Sequence, residues 1–218
     1  MNLSELVLPV IYHVIRVVQQ LFFARFCTGD AFRLNRVLKR VYFLLQMRLR
    51  LQLATVEQAP EISALRLAAA ANLAEKFGPG PWAHTSTVKG VLYDLRNSVL
   101  YVAMRRNKII ATLALCTKKP WSINRKFFTK CRRPLYLVSM AVAPGLQRKG
   151  IGRLCLAEAE KIAIAWPADT LCLDAYDAAA GAGEFYRRCG FTEVGRAAYR
   201  AVPLIYFELQ LRASSEKL

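Results

Sequence analysis

The spacing of hydrophobic and polar positions changes character at Met47. Before it, Leu6, Val10, Val14, Val17, Leu21 and Phe22 recur at helical spacing, and Thr28-Gly29-Asp30 breaks the run and supplies a cap. A second helix is predicted from Ala31 to about Met47. Met47 to Ala54 looks like a natural domain start with period-two alternation, and Arg48 to Thr55 reads as a strand. Pro60 stands where the first turn of a helix tolerates it, Ile62, Leu65, Ala69, Leu73 and Phe77 mark one helical face, and Gly78-Pro-Gly-Pro81 stops the helix. A weaker helix is predicted over 85–95. Val99–Met104 and Ile109–Cys116 read as strands joined by a tight turn at Arg105-Arg-Asn-Lys108. Leu135–Val142 is a strongly apolar strand ended by Pro144-Gly145. A helix then runs from Gly150 to Trp166, with Ile151, Leu154, Cys155, Ile162 and Trp166 toward a sheet. Leu171–Ala175 is another buried strand, and Glu184–Cys189 is a short helix stopped by Gly190. Thr192–Arg196 and Leu204–Leu211 finish as strands.

This order divides the chain into a helical extension, residues 1–46, and a mixed α/β domain, residues 47–218. Arg16, Gln19 and Gln20 make the first helix a poor membrane span. Its mixture of arginine with Leu, Val and Phe permits an interfacial helix on a membrane surface, or docking on the domain or on a second copy in a homodimer.

Composition narrows the class. The 218 residues are 55% hydrophobic and 22% charged, with no low-complexity tract, which excludes global disorder. The net charge of +17 favours anionic partners, whether phosphates, nucleic acid or an anionic membrane, and also serves solubility. Residues 118–133 hold seven Lys or Arg, no acid, and the aromatics Trp121, Phe127 and Phe128; they read as a long loop. That loop suits an acidic acceptor, a phosphorylated ligand or simple solvation. Six cysteines form no Cys-x-x-Cys pair and follow no secretory signal, so the expected setting is the reducing cytoplasm. Only His13 and His84 are present, which argues against a His-rich metal site and a His-centred triad.

One segment carries chemistry. Between the apolar strand and the long helix lies Gln147-Arg-Lys-Gly-Ile-Gly-Arg153. A helix that begins in a glycine-bearing loop exposes unpaired backbone N–H groups, and these, with the positive end of the helix dipole, suit a pyrophosphate. Arg148, Lys149 and Arg153 add positive charge. The segment lacks the Gly-x-Gly-x-x-Gly of a dinucleotide fold and the Gly-Lys-Ser/Thr of a triphosphatase loop.

In context, the segment resembles the signature of the Gcn5-related N-acetyltransferase superfamily. Val142-Ala143-Pro144 and Gln147-x-x-Gly150-x-Gly152 match in sequence and spacing, and Phe185-Tyr-Arg-Arg-Cys-Gly-Phe191 looks like the family's second block. The resemblance spans roughly three quarters of the chain. It implies an acetyltransferase fold, a mixed and mostly antiparallel sheet flanked by helices. It also implies acetyl-CoA as donor and direct attack by a primary amine of a small molecule or peptide. Met140 and Val142 would pair with the pantetheine arm through their backbones. The N–H groups of Gln147, Arg148, Lys149, Gly150, Ile151 and Gly152, with Arg153 beside them, would hold the pyrophosphate. Tyr186 would protonate the departing thiolate. The strand before the signature, Leu137-Val-Ser-Met140, lacks the acid that many members use as base. Asp174 and Asp177 on the next strand are the nearest substitutes, and Glu208 is a third. The family's frequent Asn is replaced by Ala178-Ala-Ala-Gly181. The alternatives are a CoA-binding module without turnover and a basic protein for nucleic acid or an anionic membrane.

Overall fold

The computed structural model describes residues 49–83 and 86–211. The helices expected within residues 1–46, and the two histidines, lie outside the described residues.

A seven-stranded sheet has the order β1-β2-β3-β4-β5-β7-β6. Its strands are β1 Leu51–Leu53, β2 Val99–Arg105, β3 Lys108–Cys116, β4 Pro134–Val142, β5 Thr170–Tyr176, β6 Thr192–Tyr199 and β7 Val202–Gln210. Every neighbouring pair is antiparallel except β4 and β5. Helices α1 Ala59–Phe77, α2 Val88–Asn97, α3 Ile151–Ala165 and α4 Gly183–Arg188 cover it.

Local chemistry explains the boundaries. Pro60 occupies the first turn of α1, where its missing N–H is not needed, and Gly78 ends the helix at φ 77°. Thr87 caps α2 by accepting from Gly90 N at 3.0 Å. The β2–β3 hairpin turns through Arg106 and Asn107, both at positive φ, as a two-residue hairpin demands. The β6–β7 hairpin does the same through Arg200 and Ala201. Without Gly or Asn to mark that second turn, the two strands run three residues and two residues further toward each other than their sequence pattern predicts.

Strand alternation assigns the two faces. On one, α1 and α2 pack Ile62, Leu65 and Val91 against Leu100, Val102, Ile109 and Ala114. On the same face, across β4 to β7, the basic segment packs Ile123 and Phe128 against Tyr136, Cys172, Leu204 and Tyr206. The expected long loop is thus packed down on the sheet. α3 and α4 lie on the opposite face. α3 buries Ile151, Cys155, Leu156, Ala159 and Ala163, a stripe four residues apart with small side chains that let the helix approach closely. Trp166, expected to face the sheet, caps the helix end and is half-exposed because the stripe turns away from it.

Candidate functional site

The parallel pair holds together only at Pro134–Tyr136 against Thr170–Cys172. Beyond those residues β4 and β5 part. The register of β4 on β3 slips by one residue between Ala114↔Val138 and Thr112↔Ala141, and Ser139 takes φ 53° there. This bulge bends β4 away and turns backbone groups toward the gap. Ala143 N donates to Ile110 O, so alternation aims the N–H and C=O of the preceding Val142 away from β3, into the opening. The Val142 carbonyl accepts from Gln147 Nε2 at 3.1 Å, which braces the loop and leaves the Val142 N–H to the gap.

The loop after β4 is a cradle of donors. Leu146 N and Gln147 N close a short turn on Ala143 O and Pro144 O, and the first bond into α3 runs from Leu154 N to Gly150 O. The N–H groups of Arg148, Lys149, Gly150, Ile151, Gly152 and Arg153 have no acceptor among the described residues. Arg148 at φ 59° and Gly150 at φ 88° alternate with their neighbours as in an anion-binding nest, and the α3 dipole adds to it. Lys149 Nζ donates back to Gly145 O at 2.7 Å. Arg153 Nη2 donates to Arg188 O at 3.2 Å and ties the start of α3 to the end of α4. Gly152 has a second duty: a Cβ there would stand 3.0 Å from the Phe185 ring and 3.5 Å from Met140 Cε. The nest, the end of β4 and α4 therefore meet at one point. A cradle of unpaired donors with this polarity fits a pyrophosphate.

Tyr186 is 7% exposed, among the rings of Phe185, Phe191 and Phe207. Burial, then the Asp174 charge, push its phenol well above the usual tyrosine range, so it stays protonated. Its hydroxyl has no hydrogen-bond partner among the described residues. An ion-pair chain, Asp177–Arg196–Glu193–Arg187–Glu184, and Arg187 over the Phe207 ring latch α4 in place.

Asp174 lies on the other face of the sheet from Tyr186, opposite Tyr206. It accepts from Ser122 Oγ at 2.8 Å, while the Tyr206 hydroxyl donates to Ser122 O at 2.8 Å. Burial raises its carboxyl above the ordinary carboxylate range, and the Ser122 bond partly offsets this. Asp177 is engaged by Arg196 Nη1 at 3.0 and 3.1 Å. Glu208 is buried and accepts from both N and Oγ1 of Thr129, at 2.9 and 2.6 Å. The three carboxylates thus differ: Asp174 is half-buried and held by a single hydroxyl, while Asp177 and Glu208 are tied to structural partners.

Beside the bulge, on the Asp174 face, lies a cavity of about 470 Å³ lined by Arg66 and Leu73 of α1, by Trp82 and Ser86, and by Ser139 to Ala141. Arg66 Nη1 holds Asp94 Oδ2 at 2.6 Å, and the Trp82 ring meets Tyr176 edge-on at 5.6 Å. Motif reading misses Arg66 and Trp82, which line the cavity, and Ser122, which bonds Asp174 from 52 residues before it; only tertiary packing brings them to the site.

The sheet is thus split at its parallel pair, with an anion nest on one face and a cavity on the other. The acetyltransferase (GNAT) family model matches residues 67–191, more than half of the chain, and the chain belongs to that family. Among curated proteins, none matches the chain. Solved structures share the fold. The ribosomal-protein-S18-alanine N-acetyltransferase from Escherichia coli is 17% identical with a TM-score of 0.55, over 78% of this chain and 98% of that one. An acetyltransferase from Bacillus subtilis in complex with CoA is 18% identical with a TM-score of 0.52, over 76% and 100%. An N-acetyltransferase from Staphylococcus aureus Mu50 is 17% identical with a TM-score of 0.55, over 76% and 99%. Identity at this level carries the fold and nothing finer.

Proposed function

We propose that the protein moves the acetyl group of acetyl-CoA to a primary amine of a small molecule or peptide, in the reducing cytoplasm. The observation that carries this reading is the opening between β4 and β5. It connects a nest of free N–H groups on one face with the half-buried carboxylate of Asp174 and a cavity on the other. Acetyl-CoA supplies the acyl carbon, which gains a bond to the amine nitrogen as its C–S bond breaks. The amine loses a proton, the thiolate takes one, and an acetamide and a free thiol leave.

The chain's own groups divide that work. The N–H groups of Arg148 to Gly152 hold the pyrophosphate, and the Val142 N–H hydrogen-bonds the pantetheine amide as an added strand would. Met140 and Phe185 wall the arm beside Gly152. Asp174 accepts the proton of the incoming ammonium, directly or through water; its raised pKa makes it a stronger base than a surface aspartate. Asp177 is left to hold Arg196. Tyr186, kept neutral by burial, donates its hydroxyl toward the departing sulfur.

The test is thiol release from acetyl-CoA over a panel of amines, amino acids and peptides, with mass detection of the acetylated product. Alongside it, Gly150→Glu removes the positive-φ glycine and places a carboxylate in the nest. CoA raises the melting temperature of the native protein and leaves that of the variant unchanged. Equal stabilisation of both would remove the nest from the reading, and tight CoA binding with no turnover on any amine would leave a CoA-binding module.

A further inference from the structure

The basic segment 118–133 is attached to the acceptor side of the site, not to the donor side. Ser122 of this segment bonds Asp174, Thr129 bonds Glu208, and Ile123 and Phe128 are buried against β4, β5 and β7. All of these lie on the face opposite α3, α4 and the nest. The cations therefore do not serve the phosphates of a donor held at that nest.

Their arrangement is one-sided. Lys118, Arg125, Lys126, Lys130 and Arg132 are exposed and make no ion pair among the described residues. Lys119 Nζ is spent on the carbonyls of Pro120 and Ile123, and Arg133 on Asp169. No acid stands within residues 118–133 to balance them. Trp121 is 85% exposed, next to the serine that bonds Asp174. A bare indole beside unpaired cations is an anchor without a pocket of its own.

We propose that this segment is the docking surface for an acidic polypeptide acceptor, whose carboxylates meet Arg125, Lys126, Lys130 and their neighbours, and whose backbone crosses Trp121 to bring its amine to Asp174. The inference rests on the acetyltransferase reading above and names its acceptor class. The choice of polypeptide over a phosphodiester polymer follows from position. Whatever docks here is delivered to the candidate base, and a polypeptide offers a basic aliphatic amine that arrives protonated, whereas the exocyclic amino groups of RNA bases are conjugated with their rings and carry no proton for a base to remove. The electrostatic part of such docking falls with salt, because exposed charges are screened.

The experiment compares two synthetic peptides of equal length with the same N-terminal residue and no lysine. One carries Asp and Glu at its fourth to tenth positions, roughly the reach of the segment, and the other carries Asn and Gln there. The expected result is a KM about tenfold lower for the acidic peptide near 50 mM salt, a gap that closes at about 300 mM, and similar kcat. The triple variant Arg125→Glu, Lys126→Glu, Lys130→Glu raises the KM of the acidic peptide at least about tenfold. It leaves acetylation of a small amine without acidic groups at the native rate, which certifies its fold. Equal KM values for the two peptides, or an unaffected triple variant, overturn the proposal. If no amine is acetylated at all, the reaction assigned to the protein falls, and binding of the labelled acidic peptide still reads the surface. Binding lost in the triple variant then supports the docking role. Binding of poly-U RNA, or of vesicles rich in phosphatidylserine, through the same three residues without binding of the acidic peptide overturns it.

Discussion

The carboxylate of Asp174 is held by two opposed effects. Burial favours its neutral form, and the Ser122 hydroxyl favours its charged form. Ser122→Ala removes only the second, so the pKa rises further above the ordinary aspartate value. The proton acceptor is the ionised form, and activity falls as pH drops through that pKa. The acid limb of the kcat/KM profile of Ser122→Ala therefore lies at higher pH than that of the native protein, and the two rates converge above both limbs. A profile whose acid limb does not move would take Asp174 out of the role of base. From the sequence alone, Asp174 and Asp177 were equivalent, two acids three residues apart. What separates them is the Arg196 side chain, 19 residues beyond Asp177, and the Ser122 hydroxyl, 52 residues before Asp174. Neither partner belongs to a motif. Gly150 was legible because its positive φ is a local demand, whereas the contact of Gly152 with Phe185 depends on where α4 lands.

At the scale of elements, strand periodicity and glycine stops located all seven strands of the described residues and all four helices, with ends displaced by a few residues. The basic segment escaped this reading, since its order comes from tertiary contacts and not from periodicity. Gly195 on β6 is its clearest anchor: a Cβ at that position would stand 2.2 Å from Phe127 Cδ1. Phe127 in turn leans on Tyr206 with ring centroids 5.4 Å apart, and Tyr206 holds the Ser122 carbonyl. Gly195→Ala therefore displaces Phe127 and lowers unfolding stability by about 1–3 kcal/mol, the range of overpacked sites. In a Phe127→Ala background the same substitution costs less, because the clashing ring is gone. Denaturant unfolding of the four proteins reads this coupling, and strictly additive losses would mean that Gly195 is not the seat of Phe127.

The whole molecule poses the question of what the domain requires. The similar solved structures are covered over 98–100% of their own length by only 76–78% of this chain. The family match begins at residue 67, and the first strand of the sheet begins at Leu51, just after the buried Leu49. Every group assigned here to the donor nest, the opening, the cavity and the docking surface lies between Arg66 and Glu208. Removal of residues 1–46 is therefore expected to leave a folded protein. Its melting temperature with and without CoA stays within ~2–4 °C of the full chain's, equivalent to about 1 kcal/mol for a domain of this size. Its kcat on a small amine is unchanged, since no residue of the site is lost. Thermal unfolding and thiol release on the two proteins side by side decide the matter. A truncated chain that aggregates or binds no CoA would make the first 46 residues part of the folding unit.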